Sequence, residues 1–240
     1  MSGHSHFKTI KAQKEVSDAK KGKAFSKVAK LIIIAAKEGG DPITNPKLRV
    51  AIDLAKSVNM PKDNIERAIQ RGTGELAGDN LVEVVFEGFG PGGTAIIIEG
   101  ITDNTNRTLN EIKQILGQHN SKMAGEGAVR WMFERKGVIT ITIDQPGINK
   151  EQLEMMAIEI GAEDIALQEN YLNIFTKPED LETVKKNLES KNIAIEASSL
   201  GWIPKDKVAV EEKEMAKCQT LFEALDENDA VQEIYSNLKD

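Results

Sequence analysis

Apolar positions recur at helical spacing over the first third of the chain. Phe25, Val28, Ala29, Ile32 and Ala36 fall at i, i+3, i+4, i+7 and i+11, which predicts an amphipathic helix over about 22–38, stopped by Gly39 and Gly40. A second stripe (Leu48, Ala51, Ile52, Ala55) follows Asn45-Pro46, a capping residue and a proline suited to the first helical position. A third, carrying Ile65, Ala68 and Ile69, opens near Met60-Pro61 and ends before Gly72 and Gly74. Short loops between short helices predict a compact helical domain over 22–74. The polar, Lys-rich stretch 1–21 has no apolar period and reads as an arm, and 72–80 (GTGELAGDN) reads as a linker.

The period then shortens. Residues 81–87 (LVEVVFE) and 94–99 (TAIIIE) predict strands on either side of a glycine-rich GFGPGG. A helix begins at about 103–106, with Leu109, Ile112, Ile115 and Leu116 on one face, and 128–133 (AVRWMF) predicts a further strand. Strict alternation over 137–143 (GVITITI) opens a run of strand, helix (149–160), two strands (163–169, 171–176), helix (179–190) and strand (193–198). That order, β-α-β-β-α-β, is ferredoxin-like. Two helices, near 210–225 and 229–238, close the chain. The middle segment lacks one element of a compact α+β sandwich, and the helix near 210–225 could supply it. The predicted architecture is multidomain α+β: an arm (1–21), a three-helix domain (22–74), an α+β domain built from 75–135 plus 205–240, and a ferredoxin-like domain (136–204) inserted in it.

Composition fits a folded chain, with 40% hydrophobic and 29% charged residues among 240. The longest apolar run, LIIIAA at 31–36, is far shorter than the roughly 20 residues a membrane helix needs. No signal-like stretch follows Met1, and a single cysteine excludes an intrachain disulfide, so the expected location is the cytoplasm. The net charge of −7 is unevenly spread: residues 1–74 carry 15 Lys/Arg against 7 Asp/Glu, and the other 166 carry 16 against 31. A basic segment on an acidic body points to an anionic partner; docking of the one on the other is the competing reading.

The first helix sharpens that expectation. Lys20, Lys23, Lys27, Lys30 and Lys37 lie on the face opposite the apolar stripe, Lys21 stands beside them, and Lys8, Lys11 and Lys14 extend the row into the arm. A line of ammonium groups suits phosphates and gives affinity and register rather than base readout. Most lysine rows are only solvated faces, but this one has no interleaved glutamates. Arg49, Arg67 and Arg71 could add forked contacts or form surface pairs with Asp53, Asp63 or Glu66. These twelve side chains are the candidate nucleic-acid-binding residues.

Other motifs carry less. Residues 88–93 match G-x-G-x-x-G, but a strand follows instead of a helix and Pro91 removes a donor, so a strand connection is expected and no nucleotide cofactor. The polar cluster 102–108 (TDNTNRT) exceeds what a helix cap needs and suggests a surface site or a domain contact. His4, His6 and His119 do not converge with other ligands, and Cys218 reads as a buried thiol. No catalytic constellation is recognisable, and the scattered aromatics do not form a stacking platform, so a non-enzymatic protein reading duplex or structured RNA is expected.

Several stretches (SGHSHF at 2–7, PKLRVAIDLAKSVNMPKDNIERAIQRGTG at 46–74, FEGFGPGG at 86–93, TDNTNRT at 102–108 and FERKG at 133–137) resemble the YebC/PmpR family, to which a mitochondrial translational activator of cytochrome c oxidase subunit I also belongs. The resemblance implies a helical N-terminal domain with two α+β domains, the third inserted in the second. It implies a DNA-binding transcriptional regulator, or alternatively a ribosome-associated translation factor. Family members carry more arginine in the arm and first helix; Lys20, Lys21 and Lys23 stand there in this chain, and His6 stands where lysine is usual. That favours phosphate contact over forked base contact. No cofactor, membrane or small-molecule substrate is implied, and a monomer is the expectation.

Overall fold

A computed structural model describes residues 18–78, 80–144, 149–168 and 170–239, with side chains from Gly22 onward. Helices α1 (Asp18–Ala36), α2 (Pro46–Ser57) and α3 (Lys62–Thr73) turn their apolar stripes inward. Val28, Ile32, Leu48, Ala51, Ala55, Ile65 and Ala68 form one core, which also takes in Leu81 and Ile101. Asn45 fixes the entry to α2: its Oδ1 accepts from Leu48 N at 3.0 Å, and its Nδ2 donates to the Ala35 and Gly39 carbonyls at 2.8 Å each. At Gly72 helix α3 crosses α1 so closely that a Cβ would stand 2.5 Å from Ile33 O and 2.6 Å from Ala36 Cβ.

Strands β1 (Val82–Phe89), β2 (Ala95–Thr102), β3 (Lys122–Ala124) and β8 (Val231–Ser236) form an antiparallel sheet in the order β3-β1-β2-β8. Helices α4 (Thr105–Gln118) and α7 (Glu212–Asp226) bury Ile112, Leu116, Leu221, Phe222 and Leu225 against Phe86, Ile96 and Ile98 of one face. The GFGPGG stretch joins β1 to β2 through a 3-10 turn, Pro91–Gly93, where Gly92 has φ 67°. The three helices and this sheet form one compact unit, residues 18–131 and 207–239 of those described.

The second unit covers 132–206. Strands β4 (Phe133–Thr142), β5 (Asp164–Gln168), β6 (Tyr171–Thr176) and β7 (Ile195–Pro204) pair antiparallel in the order β5-β6-β4-β7. Helices α5 (Lys150–Glu159) and α6 (Leu181–Ser190) contribute Leu153, Ala157, Val184 and Leu188 to its core, against Ile139, Ile141, Leu172 and Ile174. This is the ferredoxin-like α+β arrangement expected from the alternation, and it is inserted in the chain of the first unit, between residues 131 and 207.

Several elements differ from the sequence reading: α3 runs through Gly72 to Thr73, and β3 forms where no strand was expected. The last residues of the expected arm, from Asp18, already belong to α1. Residues 128–133 are not a separate strand: the chain turns there, with a 3-10 turn at Arg130–Met132, and Phe133 begins β4. Within 229–238 the chain forms strand β8 (Val231–Ser236), not a helix. Val231, Ile234, Tyr235 and Leu238 sit at helical spacing, but the register breaks so that Glu233 opposes Glu99 while Val231 opposes Gly100. Gln232 is thereby the extra residue of a bulge, which puts Val231 and Ile234 on one face of a strand.

Gly72→Ala is expected to lower stability by about 1–3 kcal/mol through overpacking of α3 on α1. Urea denaturation followed by circular dichroism checks this; a loss under half that would mean the two helices separate without cost.

Candidate nucleic-acid interface

Three lysines of the α1 row, Lys23, Lys27 and Lys30, are engaged by the chain itself. Lys23 Nζ lies 2.9 Å from Glu227 Oε2. Lys27 Nζ donates to Asp226 Oδ1 at 2.7 Å and to the Asp226 carbonyl at 3.2 Å, and the Lys27 side chain is only 9% exposed. Lys30 donates to the Asp229 carbonyl at 2.7 Å. Lys37, just past the helix end, donates to Leu81 O at 2.7 Å and to Asn80 Oδ1 at 3.1 Å. The expectation of a free outward row is therefore corrected for Lys23, Lys27 and Lys30, which the docking alternative describes; Lys37 stays exposed and is held only by the neutral Asn80 and Leu81 oxygens.

The receiving surface explains the choice. Residues 226–229 (DEND) form the turn between α7 and β8, where the helix leaves its last carbonyls and the negative end of its dipole. Asn228 fixes that turn by donating to Glu111 Oε2 at 2.9 Å, and Ile101 N donates to Ala230 O at 2.8 Å. Burial pushes the Lys30 ammonium below the ordinary lysine value, against the raising pull of Asp229 and Asp103.

The polar cluster at 102–108 borders this contact. Asn104 caps α4 by accepting from Arg107 N at 3.0 Å, Thr108 Oγ1 lies 2.8 Å from Thr102 Oγ1, and Arg107 pairs with Asp103 and Glu111. Its residues are thus used for capping and local pairing beside Lys30.

The remaining candidates differ in character. Arg49 braces the loop before α2, donating to Pro42 O at 3.0 Å and Ile43 O at 2.9 Å. Arg67 turns back on α3, to Asp63 O at 3.2 Å and Asn64 Oδ1 at 3.3 Å, and Arg71 is exposed on its last turn. Lys47, Lys56 and Lys62, not singled out from the sequence, are exposed on the same two helices and pair with Glu38, Asp53 and Glu66, themselves more than half exposed. Such solvated pairs contribute little, so these cations exchange partners readily. Lys8, Lys11 and Lys14 lie outside the described residues, and Lys20 and Lys21 are described only as backbone of α1.

Two sequence profiles of one family match this chain: the TACO1/YebC protein N-terminal domain over residues 5–75, and the TACO1/YebC second and third domain over 81–238. The chain belongs to the TACO1/YebC family. Relatives include proteins of Halothermothrix orenii (45% identical over 99% of this chain and 94% of that protein) and Thermotoga maritima (47% over 100% and 94%), both named as probable transcriptional regulatory proteins. The crystal structure of a conserved hypothetical protein from Aquifex aeolicus superposes with a TM-score of 0.86 at 42% identity, covering 92% of this chain and 91% of that one. The family fold thus has the helical segment, the sheet and the insertion described above.

One buried acid escaped the sequence reading. Glu87, at an ordinary-looking strand position, has a side chain 1% exposed and accepts from Gly127 N and Val129 N at 2.8 Å and Arg130 N at 3.0 Å, with the Arg130 guanidinium 3.2 Å away. Burial raises its pKa, but the three N–H donors and Arg130 outweigh that and hold it below the ordinary 4.5. Glu87 pins the 125–131 segment beside an open cavity of about 450 Å³ lined by Val85, Phe86, Leu109 and Met123. Among the described residues no group of three His, Cys, Asp or Glu side chains could hold a metal ion, and no helix is long and apolar enough to cross a membrane.

Lys27→Ala is expected to lower stability by about 1–2 kcal/mol, because it strips a buried charge-assisted contact, whereas Lys47→Ala stays within about 0.5 kcal/mol. Equal effects in chemical denaturation would contradict the difference in burial. Glu87→Gln is expected to cost about 2 kcal/mol at pH 7. A carboxylate with a depressed native pKa stabilises above its unfolded value, and that contribution disappears as pH falls through the lower native value. The gap between Glu87→Gln and the parent therefore starts to narrow as pH falls below the ordinary value of 4.5; a gap constant from pH 7 to 3 would refute this.

Proposed function

We propose that this chain is a nucleic-acid-binding regulator that holds a sugar–phosphate backbone on the exposed side of α2 and α3, with the basic arm continuing the contact. The observation that carries this reading is the charge left over once α1 has docked. Segment 46–73 has six basic residues (Lys47, Arg49, Lys56, Lys62, Arg67, Arg71) against Asp53, Asp63 and Glu66. Its ion pairs are solvated and exchangeable, unlike the pair at Lys27. Phosphate oxygens can replace Glu38, Asp53 and Glu66, releasing counterions from the nucleic acid. Lys8, Lys11, Lys14, Lys20 and Lys21 extend the same positive segment toward the N-terminus.

Membership of a family whose relatives carry the name of transcriptional regulators supports a duplex DNA target. The proposed role is cytoplasmic and assigns no catalytic step, cofactor or small-molecule substrate to the chain. Residues 75–240, with 16 Lys/Arg against 31 Asp/Glu, repel the same backbone and orient the molecule on it.

The triple variant Lys47→Ala, Arg67→Ala, Arg71→Ala is expected to weaken binding to duplex DNA at least tenfold at about 100 mM salt, and the slope of log affinity against log salt falls by about 0.9 for each phosphate no longer neutralised. Fluorescence anisotropy with a labelled 30-base-pair DNA, and with a structured RNA of equal length, reads both quantities. Unchanged affinity and slope with both would end this reading; weakening confined to RNA would move the target to RNA.

A further inference from the structure

The lysine row and the DEND turn fit each other as a cation row fits phosphates. We infer that the turn at 226–229 is an internal mimic of a nucleic acid backbone, an autoinhibitory contact that a polyanion must displace before α1 can join the binding surface. The inference rests on the reading that α2 and α3 bind nucleic acid, and it adds the control of that surface.

Three observations carry it. The spacing matches: Lys23, Lys27 and Lys30, successive turns of one helix face, meet Glu227, Asp226 and the Asp229 carbonyl along one turn of chain. The charge matches: Lys23 and Lys27 pair with Glu227 and Asp226, and Lys30 lies in the field of Asp229, so three ammonium groups stand against three carboxylates at the negative end of α7. The contact is also imperfect. The Glu227 side chain is 74% exposed and Asp226 39% exposed, and Lys30 bonds a carbonyl rather than a carboxylate while its protonated form is disfavoured by burial. A phosphodiester backbone offers each lysine a full negative charge instead.

Release has a route. Exposed residues 74–78 and 80 lead from α3 to β1, and Lys37 holds the end of that connection through Asn80 and Leu81 O. Swinging α1 off the turn uncovers Lys27, which no rotamer change in place can do because its side chain is almost fully covered. A closed fraction lowers apparent affinity in proportion, so weakening the mimic raises affinity without adding any contact to the ligand.

The test uses the full chain and the charge-neutral, near-isosteric variant Asp226→Asn/Glu227→Gln, with labelled 30-base-pair duplex DNA and the matching RNA duplex as probes between 50 and 200 mM potassium chloride. The expected result is at least about fivefold tighter binding and a salt slope steeper by about two to three, since up to three more lysines reach phosphates. Affinity and slope equal to the parent's, or weaker binding, overturn the inference. Glu227→Gln alone removes only a solvated carboxylate and cannot impair folding; it is expected to tighten binding about twofold, with no tightening counting against the mimic. If the parent binds and the variants match it, only the autoinhibition falls. If neither parent nor variants bind either duplex, the nucleic-acid reading falls with it. Binding by the double variant alone supports the mimic in its strongest form.

Discussion

The backbone of β2 must be paired along both edges, and most of the first unit follows from that requirement. Ala95, Ile96, Ile97 and Ile98 are fully withdrawn from water, so an unpaired amide or carbonyl there would cost the desolvation of a buried polar group. β1 satisfies one edge through the GFGPGG connection. The other edge is satisfied only when the chain returns after the insertion and lays β8 alongside, with Asn237 Oδ1 accepting from Ala95 N at 2.8 Å where the ladder ends. Placing β8 places α7 over the Ile96–Ile98 face, and the α7–β8 turn then stands beside α1. The acidic turn therefore occupies its position for reasons of sheet pairing, and the electrostatics build on it.

Charge has two roles in this molecule, separated by burial. Lys23, Lys27 and Lys30 of α1 meet carboxylates and carbonyls at the end of α7 in a partly dry contact, in which the Lys27 side chain is almost fully covered. The cations of α2 and α3 meet Glu38, Asp53 and Glu66 in water, where pairing is nearly free to dissolve. The first set holds the helical segment on the sheet, and the second keeps the segment available to an external polyanion. The same residue type serves cohesion in one place and recognition in the other, according to what it packs against.

Much of this was legible in the chain. The stripes of α1, α2 and α3 need only i+3/i+4 spacing and the Asn45-Pro46 start, because a helix forms its hydrogen bonds within itself. The ferredoxin-like insertion shows in strict alternation such as GVITITI. β3, three residues long, has no periodic signal at all and is a strand only because β1 offers it an edge at Glu87–Phe89. β8 was misleading for a definite reason: the bulge at Gln232 gives a strand the apolar spacing of a helix. Glu87 gave no signal, since its partners lie 40 to 43 residues away.

The sequence by itself determined the elements whose bonds are local, the inserted α+β order and the surplus of positive charge in the first 74 residues, because periodicity and composition are properties of neighbours along a chain. Only the tertiary structure decided where those charges point. Whether a lysine faces solvent or another part of its own chain depends on contacts such as Lys27 with Asp226, 199 residues apart, and no local pattern encodes such a pairing.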